Sequence, residues 1–136
     1  MKRIICSIAL LMSALNATAG SVKNWDVEYD QCVDKTIKAN HLPGINNGVV
    51  EACASSVSES AKKEINRLYK KFYDQLIAES ADDARAFETA QKSWLSYRNL
   101  HCELAGQYVG SPMYAYCPMA LNIERVKELQ ELVGEK

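Results

Sequence analysis

Four cysteines constrain this chain more than any other feature: Cys32, Cys53, Cys102 and Cys117, each pair straddling a stretch of turn-forming residues. Their meaning depends on the compartment, and the first residues speak to that. Met1-Lys2-Arg3 is a positive start, Ile4 to Leu15 is apolar, and Ala17-Thr18-Ala19 has the small-x-small pattern of a cleavage site. Residues 1–19 therefore read as a signal peptide, cut before Gly20. The apolar run is too short to span a bilayer, so no stable membrane insertion is expected after cleavage. Cys6 leaves with the leader. The four remaining cysteines are an even set in an oxidising compartment, where two disulfides are the expectation. Residues 20–136 then make a single domain, with room for a modest core and much to gain from staples.

Helical periodicity runs through the rest of the sequence. Trp25, Tyr29, Cys32 or Val33, and Thr36 or Ile37 recur at that spacing and predict a first helix to about Asn40. His41-Leu42-Pro43-Gly44 and the asparagines after it break the pattern. Val50, Cys53, Val57, Ala61, Ile65 or Glu64, Leu68, Phe72, and Gln75 or Leu76 predict a long second helix ending near Glu79. Ser80 or Asp82 caps a third, with Ala86 or Phe87, Ala90, Trp94, Tyr97 and His101 on its buried side, closed by Gly106 or by a turn after Ala105. Gly110, Ser111 and Pro112 predict a turn-rich loop from Gly106 to Cys117. Pro118 suits the first turn of a last helix, whose stripe is Met119, Asn122 or Ile123, Val126, Leu129 and Val133, ended by Gly134. No segment reads as a strand. The expected fold is all-α: a small antiparallel bundle of about four helices, stapled by two disulfides. Pairing Cys32 with Cys53 and Cys102 with Cys117 would staple each helical hairpin across its own loop, and this is the favoured arrangement. The crossed pairing, tying one hairpin to the other, stays open.

Signs of catalysis are scarce. The chain has no phosphate-binding glycine loop, no H-E-x-x-H and no G-x-S-x-G. Its histidines are His41 and His101, and no C-x-x-C pair occurs, so neither a metal site nor a cofactor is expected. The expectation is a protein that is not an enzyme. The formal charge is −1, and loss of Lys2 and Arg3 with the leader leaves about −3, which argues against nucleic acid. Lys62, Lys63, Arg67, Lys70 and Lys71 have acids close by in Glu59, Glu64 and Asp74, as an ordinary solvated helix face does. Trp94, Tyr97, Arg98, His101 and Cys102 fall on one side of the third helix. Arg98 is expected to hold carbonyl oxygens of the loop from Gly106 to Cys117, using its five donors.

The run Ala90-Gln91-Lys92-Ser93-Trp94-Leu95-Ser96-Tyr97-Arg98-Asn99, then Cys102, Gly110-Ser111 and Cys117, followed by Glu124-Arg125 and Leu129, resembles the LprI-type lysozyme inhibitor domain. Cys32, Cys53 and Ile65-Asn66-Arg67-Leu68-Tyr69 fit the same pattern, so the likeness covers nearly all of the mature chain. It departs at Ile65, where leucine is usual, and at His101, where an acid is common. The resemblance implies an exported, disulfide-stapled helical protein in the periplasm or outside the cell, with Trp94, Tyr97 and Arg98 as architectural residues. It also implies a protein partner, a lysozyme or another peptidoglycan-cutting enzyme, which this chain would bind and inhibit. Lysozyme inhibitors of unrelated fold insert a loop carrying a small hydroxyl residue and a tyrosine into the enzyme's cleft. Ser111 and Tyr114, between two cysteines, are the expected counterparts. Immunity to a toxin delivered into the periplasm, or an envelope stress role without an enzyme target, are the rival functions.

Overall fold

Helix boundaries follow from caps that the sequence supplies. In the computed structural model, which describes residues 23–135, the side chains of Asn24, Asn46 and Ser80 accept from the backbone N–H of Val27, Val49 and Asp83. Each cap satisfies one of the donors a helix start leaves open, and stabilises by about 1 kcal/mol. They open α1 (Trp25–Ala39), α2 (Asn47–Glu79) and α3 (Ala81–Tyr108); α4 (Met113–Val133) follows Pro112. No strand occurs among the described residues. The expected leader, with Cys6 in it, lies outside them.

The ends of α1 and α4 share one geometry. Leu42 N–H donates to Ile37 C=O at 3.0 Å around His41 at φ 50°, and Glu135 N–H donates to Gln130 C=O at 2.9 Å around Gly134 at φ 71°. Both are left-handed caps, one built on a histidine and one on glycine. Between α2 and α3 the link is Ser80 alone, extended at φ −152° and ψ 106°. It ends one helix and caps the next.

Core formation centres on α2 and α4, which share the most extensive interface. Ala54, Val57, Ala61, Ile65 and Leu68 of α2 are buried in one cluster with Met119, Ile123, Val126 and Leu129 of α4. Ser58 meets Asn122, and Arg67 meets Glu135 further along, so these two helices run the same way. The hairpins α1–α2 and α3–α4 are antiparallel. Trp25 joins the cluster from α1, and Phe87 joins it from α3, stacked on Tyr69 and edge-on to Phe72 at 5.1 and 5.0 Å. Disulfides join Cys32 to Cys53 and Cys102 to Cys117, with Cα separations of 5.6 and 5.4 Å. The hairpin-local pairing is therefore the one adopted, and each bridge stabilises by about 3 kcal/mol in the chain-entropy account.

Two expectations need correction. The long loop between Cys102 and Cys117 is absent: α3 continues through Gly106, which is buried, to Tyr108, and α4 begins five residues before Pro118. Only Val109 to Pro112 remain outside helix. Gly106 does not end α3 but leaves room on it, because a Cβ there would overlap the ring of Tyr114. The phase of α3 also differs. Its inward line is Ala84, Phe87, Gln91, Cys102 and Gly106, with Trp94 and Arg98 half-buried, while Ala90, Tyr97 and His101 are exposed. Polar Gln91 and Arg98 occupy the inner line because α4 presents polar partners to them.

Candidate partner-binding site

Arg98 is anchored on α4, not on loop carbonyls. Its Nη1 donates to Asn122 Oδ1 at 2.9 Å, and Asn122 Nδ2 donates to Ser58 Oγ at 2.8 Å. The chain of bonds runs from α3 through α4 to α2, and Asn122 at its centre is fully buried. Nε and Nη2 of Arg98 donate to Asn99 Oδ1 on its own helix. Nearby, Arg125 donates through Nε and Nη2 to Oε1 of buried Gln91 at 3.0 and 2.8 Å. Trp94 lies against both guanidiniums, with centroid distances of 5.2 Å to Arg98 and 5.5 Å to Arg125. Cation–π contacts of this kind contribute about 0.5–1 kcal/mol each. Burial pushes the Arg98 pKa below its ordinary value, and among the described residues no carboxylate pairs with it to offset that.

This anchor fastens α3 to α4 just before the corner where the two helices meet. Beyond it the surface changes character. From Ser93 to Ile123 the only Lys, Arg, Asp or Glu side chains are Arg98 and Glu103, in a chain that is 24% charged. Exposed along the same segment are Tyr97, Leu100, Leu104 and Tyr108, at helical spacing on the outer side of α3. Tyr97 is 55% exposed and Tyr108 83% exposed, values far from those of core residues. Val109, Tyr114 and Tyr116 are exposed at the turn and the start of α4, Tyr114 beside Ser55, Glu59 and Lys62 of α2 and Tyr116 edge-on to Tyr29 of α1 at 5.7 Å. His101 stacks on Tyr97 at 5.3 Å, part of the same face. Loss of charge together with exposed tyrosine and leucine is the composition of a protein-binding surface.

Among the residues singled out in the sequence, Cys102, Trp94 and Arg98 come together with α4, whereas Tyr97 faces outward. Ser111 is exposed in the corner and its Oγ accepts from Asn47 Nδ2 at 3.2 Å. Tyr114 lies in the first turn of α4, one side of its ring against Gly106 and the rest exposed. Ser111 thus lies in the four-residue turn and Tyr114 in the first turn of α4, where a long loop was expected. Sequence reasoning gave no structural role to Ser58, Gln91 or Arg125 and missed the Leu100–Leu104–Tyr108 line. For that line a signal was present, since its spacing continues from Tyr97 by three and then four residues. Among the described residues no three His, Cys, Asp or Glu side chains gather as a metal set. No described helix is long and apolar enough to cross a membrane.

A family model described as lysozyme inhibitor LprI matches residues 44–129, well over half of the chain. No match is found among curated proteins or among solved structures.

Proposed function

This chain belongs to the LprI lysozyme inhibitor family, and from that premise we propose that it is an exported protein of the periplasm or cell exterior that binds a lysozyme and blocks its cleft. The observation that carries the reading is the charge-poor corner of α3 and α4, which exposes Tyr97, Leu100, Leu104, Tyr108, Val109 and Tyr114. Tyrosine is a favoured interface anchor because it buries much area with few rotatable bonds. The Cys102–Cys117 bridge and the Arg98–Asn122 anchor hold this corner in place before binding. A surface already ordered loses less entropy on association. Ser111 and Tyr114 sit at the corner's apex and are the residues proposed to enter the cleft, with the α3 line as the flank.

The test is the clearing of cell-wall suspensions by lysozymes of several types, with and without the mature oxidised protein. Inhibition is expected, and Leu104→Glu, which puts a charge into the face without touching the core, should weaken it by about tenfold or more, equivalent to about 1.4 kcal/mol. Unchanged clearing across all lysozyme types at micromolar protein would remove the reading. Full inhibition by a folded Leu104→Glu variant would move the contact elsewhere.

A further inference from the structure

Beside the Arg98 anchor, α2 and α3 diverge to form a groove of about 510 Å³, a volume in the range of small-molecule sites. Ile65, Tyr69, Trp94 and Leu95 give it an apolar wall. Its ionic groups are Lys62, Lys92 and Arg98 against one carboxylate, Glu88. Both lysines are already neutralised, Lys62 by Glu59 and Lys92 by Glu88, each at 2.6 Å. Arg98 is not. Three of its N–H groups go to the amide oxygens of Asn99 and Asn122, which leaves two of its five donors unused. A half-buried guanidinium held by neutral oxygens keeps a net positive charge at the groove. The remaining donors are one N–H on Nη1 and one on Nη2, and the group that matches their charge is a carboxylate, which accepts charge-assisted N–H bonds.

We propose that this groove binds a carboxylate-bearing sugar ring, with the carboxylate on Arg98 and the ring against Trp94 and Leu95. Asn66, at the groove's edge, supplies a side-chain amide for ring hydroxyls. The demand for a carboxylate comes from Arg98 alone. The choice of a sugar acid rests on the lysozyme-inhibitor reading, because such rings are freed from the wall polysaccharide when its glycosidic bonds are cut and the amide joining the lactyl carboxyl to the stem peptide is hydrolysed. The protein then holds a fragment of the same polymer that its target enzyme cuts, on a face separate from the blocking corner.

The experiment titrates N-acetylmuramic acid, and separately N-acetylglucosamine, which has the same ring without the carboxylate, into the mature oxidised protein with no lysozyme present. Nuclear magnetic resonance follows the Trp94 and Trp25 indoles and the Arg98 Nε–H. The acid should bind with Kd on the order of 1 mM, shift the Trp94 and Arg98 signals, and leave Trp25 unmoved. The neutral sugar should bind at least about tenfold more weakly, as loss of a charge-assisted pair implies. In Arg98→Gln the preference for the acid should vanish. If that variant does not fold, the wild-type shifts decide: changes that avoid both Trp94 and Arg98 overturn the proposal. Equal affinity for the two sugars also overturns it, as does acetate binding as tightly as the sugar acid. A protein that binds the acid but leaves every lysozyme untouched keeps the groove and loses the inhibitor; inhibition without sugar binding removes the groove alone.

Discussion

Gly106 stands under two opposing demands. Inside a helix, glycine is less favourable than alanine by about 1 kcal/mol, so Gly106→Ala should stabilise if propensity ruled. The Tyr114 ring occupies the space a Cβ would fill, and packing rules instead. Gly106→Ala is expected to lower stability by about 1–3 kcal/mol, and Tyr114→Ala in the same chain should recover most of the loss, as coupled neighbours do. Thermal unfolding of the two single variants and the double variant checks this; an unchanged or higher midpoint for Gly106→Ala alone would refute it. At this scale the sequence was legible where residues were apolar. Val57, Leu68 and Val126 are core residues both by spacing and in the fold. Polar interior residues hid themselves. Gln91 and Arg98 mark the inward line of α3, yet their chemistry reads as surface, and the aromatic Tyr97 beside them reads as core. What turns the helix is complementarity with Asn122 and Arg125, and no periodicity within α3 contains that information.

Elements were read more completely than residues. Side chains of Asn24, Asn46 and Ser80 cap three helix starts, of which only Ser80 was named from the sequence, but all four helices were anticipated and the cysteine spacing fitted hairpin-local bridges. The failures came at Gly106 and Pro118, two residues that ordinarily mark helix ends. Gly106 is kept helical by the ring packed upon it. Pro118 stands one turn inside α4, where the donor it lacks would have served Tyr114 C=O, close to the exposed corner. Cys117 next to it is tied to α3, which holds this turn in place. Replacing both Cys102 and Cys117 by serine should therefore cost about 3 kcal/mol, and the loss should be local before it is global. Amide hydrogen exchange is expected to speed up first between Leu104 and Cys117 while the α2 core stays protected. Uniform acceleration along all four helices would show that the bridge does not act on the corner.

Over the whole molecule, charge and covalent closure are unevenly spread. Ion pairs crowd the end remote from the corner, where Glu135 accepts from Arg67 at 3.1 Å and from Lys71 at 2.6 Å. These two cations pull the Glu135 carboxyl from 4.5 down to about 2. A carboxyl with a lowered folded-state pKa adds stability above its unfolded value, so this contribution is present above pH 4.5 and is lost as pH falls towards 2. Arg67 and Lys71 are 48% and 42% exposed, so solvent screening limits the effect to less than about 1 kcal/mol. Urea midpoints of wild type and Glu135→Gln should differ near pH 6 and converge below pH 2; coincident midpoints near pH 6 would dismiss the contribution.

The single-residue link at Ser80 has a topological consequence. One disulfide closes a ring wholly within α1 and α2, the other wholly within α3 and α4. Break the backbone at Ser80 and the molecule is two covalently separate hairpins, each still locked on itself. Their association becomes bimolecular, so the severed bundle would be governed by dilution where the intact one is not. The staples that make each half durable do nothing to keep the halves together.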